Sequence, residues 1–347
     1  MKIILPGQTI GIIGGGQLGR MLAMSAKEMG YKIAILDPSK DACARHFADT
    51  FIHADFDNRK GLERLCQISD VVTFEFENID SDLLAELEKD HHIVQSASLL
   101  KTAQHRLLEK EFARSLGIET VDYQYVDEDT TGVQVDGTYL MKTVRFGYDG
   151  KGQSQITEAS QVQPYTLLER LVPLDKEISV VAYKDRTGIG IVAVVENEHR
   201  NNILYRSIVP TTASPEQEAQ AIDYTRRILE AADYYGVLTV EFFISQGRVI
   251  FNEMAPRVHN SGHITMQSAN KSQFRAHIEA ICGLRVGKIE NRETTLYNIL
   301  GQDEDYFKDL ITKKQGYLHL YEKEPRLNRK IGHINFYGNV ILGGNDE

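Results

Sequence analysis

The chain has 347 residues, 42% of them hydrophobic and 25% charged, with a formal net charge of −10; this is the profile of a globular protein too long for one ordinary core, so two or three domains are expected. The negative field argues against nucleic acid or an anionic membrane as the main partner, and no stretch approaches the roughly 20 apolar residues of a membrane helix. Cys43, Cys66 and Cys282 are odd in number and lack metal-ligand spacing, which points to reduced thiols and a cytoplasmic location.

The opening MKIILPGQTIGIIGGG runs into a glycine turn and reads as a strand rather than a signal peptide. Thr9–Ile13 leads into GGGQLGR, a helix over about 17–29 ending at Gly30, and a second strand, YKIAILD, closing on Asp37. Gly14, Gly16 and Gly19 fit G-x-G-x-x-G, whose physical content is backbone amides facing an anion at a helix N-terminus. Three readings stay open. One is a dinucleotide with Asp37 on a ribose hydroxyl. Another is some other phosphorylated ligand, towards which Gln17 and Arg20 lean. In the third, the glycines merely let helix and strand approach. Further strands at 52–53 and 71–76 (VVTFEF) alternate with helical stretches, so an α/β fold with a parallel sheet is expected. Glu75 and Glu77 share one face at the C-terminal end of a strand, where open α/β sheets bind ligands; a solvated strand end is the alternative.

From about Ser98 the texture changes, and a new domain is expected to begin. LLKTAQHRLLEKEFARSLG reads as one charged amphipathic helix ending at Gly117. Lys142 stands on a strand end just before RFGYDGKGQ (145–153), three glycines bracketed by Arg145 and Lys151. That geometry suits a mobile loop folding over phosphate oxygens better than a plain hairpin. TLLERLV (166–172) is a short strand ending at a turn, where an adenine could bond the backbone; Glu169 and Glu177 follow as acids of no special mark, although Glu177 could accept from ribose hydroxyls.

VLTVEFFISQGRVIFNEMAPRVHNSGH contains two strands joined by Ser-Gln-Gly, a hairpin with a three-residue loop. Pairing Ile244 with Arg248 puts Glu241 and Glu253 on one face, a rung apart, with Asn252 beside the second. Phe243 and Phe251 are expected to cover that face, while Leu238, Val240 and Phe242 form an apolar stripe on the other. Two close carboxylates repel unless a cation sits between them, and magnesium suits such a pair together with nucleotide phosphates. Arg257 and His259 follow at once, where cations would hold a further anion and the charge developing during transfer; a purely structural role is the competing reading.

Taken together, GIIGGGQLGRM, TFEFENI, RFGYDGKGQ, NEMAPRVHNSGH and LHLYEK…RKIGHIN make the chain, from Gly11 to about Asn335, resemble the N5-carboxyaminoimidazole ribonucleotide synthases, ATP-grasp enzymes of purine biosynthesis. The resemblance implies a Rossmann-like N-terminal domain (1–97), a two-lobed ATP-grasp domain (98–283) and a small C-terminal domain (284–347) completing the substrate pocket. It implies that ATP, bicarbonate and 5-aminoimidazole ribonucleotide give the N5-carbamate, ADP and phosphate by way of carboxyphosphate. ATP contacts would fall on Arg106, Lys142, the loop residues Gly147, Tyr148, Asp149, Gly150, Lys151, Gly152 and Gln153, and on Glu169, Arg170, Leu171, Val172, Glu177, His199, Asn252 and Glu253. Magnesium would sit on Glu241 and Glu253. The acceptor and bicarbonate pocket would use Gln17, Glu75, Tyr148, Asp149, Arg257, His259, Lys323, Arg329 and Lys330. Of these, Tyr148, Asp149, Arg257, His259 and Lys323 would be catalytic, Asp149 taking the proton of the amine.

The same resemblance implies a homodimer, a lid at 145–153 and a further helix beyond Glu347. It also implies an arginine a few residues after Glu177, where this chain has Ala182-Tyr183-Lys184. The nearest rival is the formate-using glycinamide ribonucleotide transformylase, with biotin carboxylase further off; RKIGH at 329–333 favours the aminoimidazole nucleotide. Two rivals come from other classes. An NAD-dependent dehydrogenase would leave the acidic hairpin without a use. A non-catalytic nucleotide-binding regulator could do without Asp149, Arg257 and His259, which are all present.

Overall fold

A computed structural model of the chain describes residues 2–145, 147, 152–313 and 316–342. Its first unit is built from β1 (Thr9–Ile13), α1 (Gln17–Glu28), β2 (Lys32–Asp37), β3 (Thr50–His53), α2 (Arg59–Ile68) and β4 (Val71–Phe74). The four strands form a parallel sheet in the order β3-β2-β1-β4. Their apolar runs are buried, as a parallel sheet covered on both faces requires. Gly30, at φ +87°, turns the chain from α1 towards β2.

The helices α3 (Ser81–Leu87), α4 (Ala97–Ala103) and α5 (Arg106–Ser115) follow. The single long helix expected here is two helices. The break falls at Gln104 and His105, where Gln104 and Arg106 are claimed by other segments: Gln104 Nε2 donates to the carbonyls of Glu77 and Ile79 at 2.6 and 2.7 Å, and the Arg106 amide donates to Val144 O at 2.9 Å. A helix interior would have spent that amide on its own carbonyl ladder.

A small antiparallel sheet comes next, in the order β5-β8-β6-β7, from β5 (Tyr123–Val126), β6 (Tyr139–Thr143), β7 (Gln153–Ile156) and β8 (Thr166–Arg170). It has a core of its own, including Val126, Met141, Ile156 and Leu168. The rest of the chain supplies β9 (Lys176–Asp185), β10 (Gly188–Arg200), β11 (Ile203–Val209), α6 (Pro215–Ala231), β12 (Gly236–Ser245), β13 (Arg248–Ala255), the short α7 (Thr265–Ser268), α8 (Gln273–Ile281), β14 (Thr294–Leu300), α9 (Glu304–Lys313), β15 (Tyr317–Leu320) and β16 (Lys330–Tyr337). Its eight strands make one sheet, β13-β12-β9-β10-β11-β14-β16-β15. The three C-terminal strands therefore continue the preceding sheet through the pairing of β11 with β14. No helix among the described residues is long and apolar enough to cross a membrane.

Candidate active site

The β12–β13 hairpin brings the two acids together by a route the sequence does not announce. Its loop is two residues, Gln246 and Gly247 at φ 51° and 80°, with Ser245 paired to Arg248; the three-residue loop is corrected. That change shifts the register by one, which alone would send Glu253 to the face opposite Glu241. A β-bulge intervenes: Phe242 pairs with Phe251, but Glu241 pairs with Glu253, so Asn252 is the extra residue. The two glutamates end up directly opposite each other. Phe251 is turned the other way, into the core beside Phe242, and only Phe243 of the two expected phenylalanines lines the acidic side.

Glu241, Asn252 and Glu253 line a cavity of about 530 Å³ between the small and large sheets. Burial opposes the charge on Glu253, but Arg106 at 3.0 Å and then Lys142 outweigh it and hold that carboxyl below its ordinary value. Glu241, pressed by burial and then by Glu253, is pushed up to about 8. Asn252 Oδ1 is buried with no hydrogen-bond partner among the described residues. Three oxygen donors thus converge, one of them a carboxyl held back from ionising and one an amide oxygen without a partner among the described residues.

The small sheet contributes Lys142, Gln153 and Glu169 to the same cavity, and Arg170, Leu171 and Val172 line its edge. Lys142 Nζ lies 2.6 Å from Glu169 Oε2, and Lys110 Nζ lies 3.2 Å from Oε1. Burial works against the Glu169 charge, yet the two ammoniums hold it at about 2. The Arg170 guanidinium is spent on Asp136 at 2.6 Å. Opposite, Glu177 meets His199 at 2.7 Å and raises the histidine's pKa against its burial. Lys330, 8% exposed, also lines this cavity.

A second cavity, of about 520 Å³, lies between the first unit and the hairpin. Arg257 pairs there with Glu77, and Lys323 donates to Gln17, whose own amide reaches Asn260 at 3.4 Å. Burial drives the His259 pKa well down; its Nε2 sits 3.5 Å from Glu241 and its Nδ1 2.9 Å from Ser261 Oγ. Arg106, Glu253, His259 and Asn260 line both cavities, so the two meet at Glu253, with Glu241 facing it from the first. Arg329 lines neither; its Nη1 donates to Glu324 O at 3.2 Å. Gly147 is on the wall of the second cavity and Gly152 packs against Thr143, while Tyr148, Asp149, Gly150 and Lys151 lie outside the described residues.

The glycine turn is already filled by the chain itself. Gly15 N donates to Asp37 at 2.7 Å, and Gly16 N and Gly19 N donate to the two oxygens of Glu75 at 2.9 and 3.3 Å. Asp37 is consumed in that loop, and a carboxylate stands where a pyrophosphate would go. The dinucleotide reading falls on this geometry.

Three family models match in succession: a ribonucleotide synthetase preATP-grasp domain over residues 7–104, an ATP-grasp domain over 111–274 and a phosphoribosylaminoimidazole carboxylase C-terminal domain over 294–341. The N5-carboxyaminoimidazole ribonucleotide synthase of Bacillus subtilis (strain 168) is 40% identical over 352 residues, covering 96% of this chain and 93% of that protein. The chain belongs to the N5-carboxyaminoimidazole ribonucleotide synthase family. The family's structure from Staphylococcus aureus, complexed with ADP, matches with a TM-score of 0.92 at 36% identity, covering 98% of this chain and 95% of that one. The structure from Aspergillus clavatus, in complex with ADP and 5-aminoimidazole ribonucleotide, matches with a TM-score of 0.88 at 25% identity, covering 95% and 94%.

The fold is accordingly that of this synthase family: a preATP-grasp unit, a two-lobed ATP-grasp unit and a small C-terminal unit. Where the family resemblance implies an arginine, Tyr183 is structural: its hydroxyl donates to Gly287 O at 2.7 Å and its ring covers Gly190. Sequence reading missed Lys110 and Glu109, buried among charges on α5. Their spacing of three and four from Arg106 puts all three on one helix face, and that spacing was the available signal.

Proposed function

We propose that this enzyme carboxylates 5-aminoimidazole ribonucleotide with ATP and bicarbonate, giving the N5-carbamate, ADP and phosphate. The carrying observation is the facing pair Glu241 and Glu253 at the junction of two cavities. One cavity would take the nucleotide and the other the acceptor, so a group activated at the junction meets the amine without crossing water.

The donor set fits magnesium. Glu241, Glu253 and the unpartnered Asn252 Oδ1 are hard oxygen ligands, and among the described residues no cluster of three or more His, Cys, Asp or Glu side chains offers a closed site. An open site suits an ion that keeps waters and phosphate oxygens. When bound, it would neutralise charge developing on the transferred phosphoryl group. Lys142 would reach the same oxygens from the small sheet. Arg257 and His259 would hold bicarbonate, a poor electrophile that phosphorylation turns into a mixed anhydride, and closing the junction off from water would keep that anhydride from hydrolysis. Gln17, Glu75 and Lys323 would orient the ribonucleotide, and Asp149 would take the amine proton. Held beside the carbon, a weakly nucleophilic aminoimidazole needs no further activation. Unit boundaries near residues 97 and 283, a homodimer and a cytoplasmic location complete the reading; the family resemblance supports them.

The test measures ADP release with each substrate pair. Release that requires both the aminoimidazole nucleotide and bicarbonate supports the reading. Release with glycinamide ribonucleotide plus formate, and not with the first pair, overturns the substrate, and nucleotide binding without turnover overturns the activity.

A further inference from the structure

Lys110 is a fully buried cation in neither the acceptor wall nor the nucleotide wall, 1% exposed on α5. Its ammonium gathers partners from two different sheets. Glu169 Oε1 on β8 is 3.2 Å away, and on β13 the carbonyl oxygens of Asn252 and Phe251 accept at 2.8 and 3.3 Å. The ammonium thus donates to two main-chain oxygens and forms an ion pair with a carboxylate, a convergence that suits a compact point charge better than a planar guanidinium fork.

Two of those oxygens belong to the bulge. An inserted residue breaks the strand ladder locally, and buried carbonyls there need another donor. Lys110 is that donor, at the residue whose insertion turns Glu253 to face Glu241. Its third contact matters for charge. Lys142 also rests on Glu169, at 2.6 Å on the other oxygen. A buried carboxylate with a single close counter-ion would be left unpaired whenever that counter-ion turned to a phosphate. With Lys110 in place, Lys142 can leave.

We propose that Lys110 is a positioning residue for phosphoryl transfer: it pins the Asn252 bulge that brings the acidic pair face to face, and it is the resident counter-ion of Glu169 that frees Lys142 for the nucleotide phosphates. This rests on the reading of Glu241, Glu253 and Lys142 as nucleotide machinery.

The experiment compares the wild-type enzyme with Lys110→Met and with the charge-free pair Lys110→Met/Glu169→Gln. Calorimetry reads ADP binding in the presence of Mg2+, and Mn2+ spin resonance in the presence of ADP reads the metal. For Lys110→Met, loss of one charge-assisted contact should weaken both by at least about fivefold, while the KM for the aminoimidazole nucleotide is unchanged. A smaller effect on the metal overturns the proposal, as does an equal rise in the acceptor KM. The double variant covers the case in which the single one fails to fold. It removes the stranded carboxylate, so the Mn2+ defect should persist through the unpinned bulge; wild-type Mn2+ affinity there overturns the proposal. If the wild type binds ADP and Mn2+ yet turns over no aminoimidazole nucleotide, the reaction assignment fails while these binding arms still decide the role of Lys110.

Discussion

Glu169 and Glu241 are carboxyls of the same cavity with opposite fates. Two ammoniums hold the first at about 2, whereas burial and a facing carboxylate push the second up to about 8. The difference assigns their work: Glu169 is a settled anion that organises lysines, and Glu241 is short of a positive neighbour. Replacing Glu241 with Gln should therefore relieve repulsion in the unliganded protein and keep or raise its melting temperature. The same change should lower kcat by roughly a hundredfold, as loss of one charge-stabilising group does elsewhere. A thermal melt read beside a turnover assay checks both halves; a variant that loses stability and activity together would show Glu241 to be structural.

Between elements, geometry is decided by contacts that local sequence cannot carry. Lys142 before a glycine run, two acids across a hairpin and the Arg257–His259 pair were legible because residue type and spacing alone suggest their chemistry. The register was not. A loop counted one residue too long and an unseen bulge cancel, so Glu241 and Glu253 share a face for a different reason from the one the alternation offers. The bulge depends on Phe251 packing into the core and on Lys110 from a distant helix, neither of which marks the strand itself. Inserting one alanine between Asn252 and Glu253 should test this. The added residue would take the place opposite Glu241 and Glu253 would move one position along, to the other face of the sheet, so Mn2+ binding in the presence of ADP should vanish while the circular dichroism spectrum stays native. Retained Mn2+ binding would refute the role of the bulge.

A second inter-element device is buried between β4, β12 and α8. The Val237 amide donates to His277 Nδ1 at 3.0 Å, so the ring carries its proton on Nε2 and donates to Thr73 Oγ1 at 2.8 Å; Thr73 in turn donates to Gln95, whose amide reaches Pro256 O at 3.0 Å. Burial pushes His277 down to about 3, from an ordinary 6.5. The folded state binds this proton less readily than the unfolded chain. The stabilisation is therefore whole above pH 6.5 and is lost progressively as pH falls towards 3, by up to about 1.4 kcal/mol per pH unit. Urea melts between pH 7.5 and 4.5 should show a shallower decline for His277→Gln than for wild type. Parallel declines would remove His277 from the account.

At the scale of the molecule, the cavity proposed for the nucleotide is shared by two sheets of unequal attachment. The small sheet, with its own core, carries Lys142 and Glu169; the large sheet carries Glu177, His199, Glu241, Glu253 and Lys330. Amide exchange with and without ADP and Mg2+ should therefore slow most in β6 and β8, with little change in β9 to β14. Uniform protection of both sheets would contradict that division.

Five strand steps separate β12 from β16, a span of about 24 Å if the sheet were flat, yet Glu241 and Lys330 reach one cavity. The sheet must curl back on itself, in keeping with the coiling of large twisted sheets. Lys330 is thereby fastened to the acidic pair through an unbroken run of main-chain pairing, with no hinge in between. Such a frame keeps its calibration: the separation of those groups is inherited from strand geometry and outlasts every exchange of spent nucleotide for fresh.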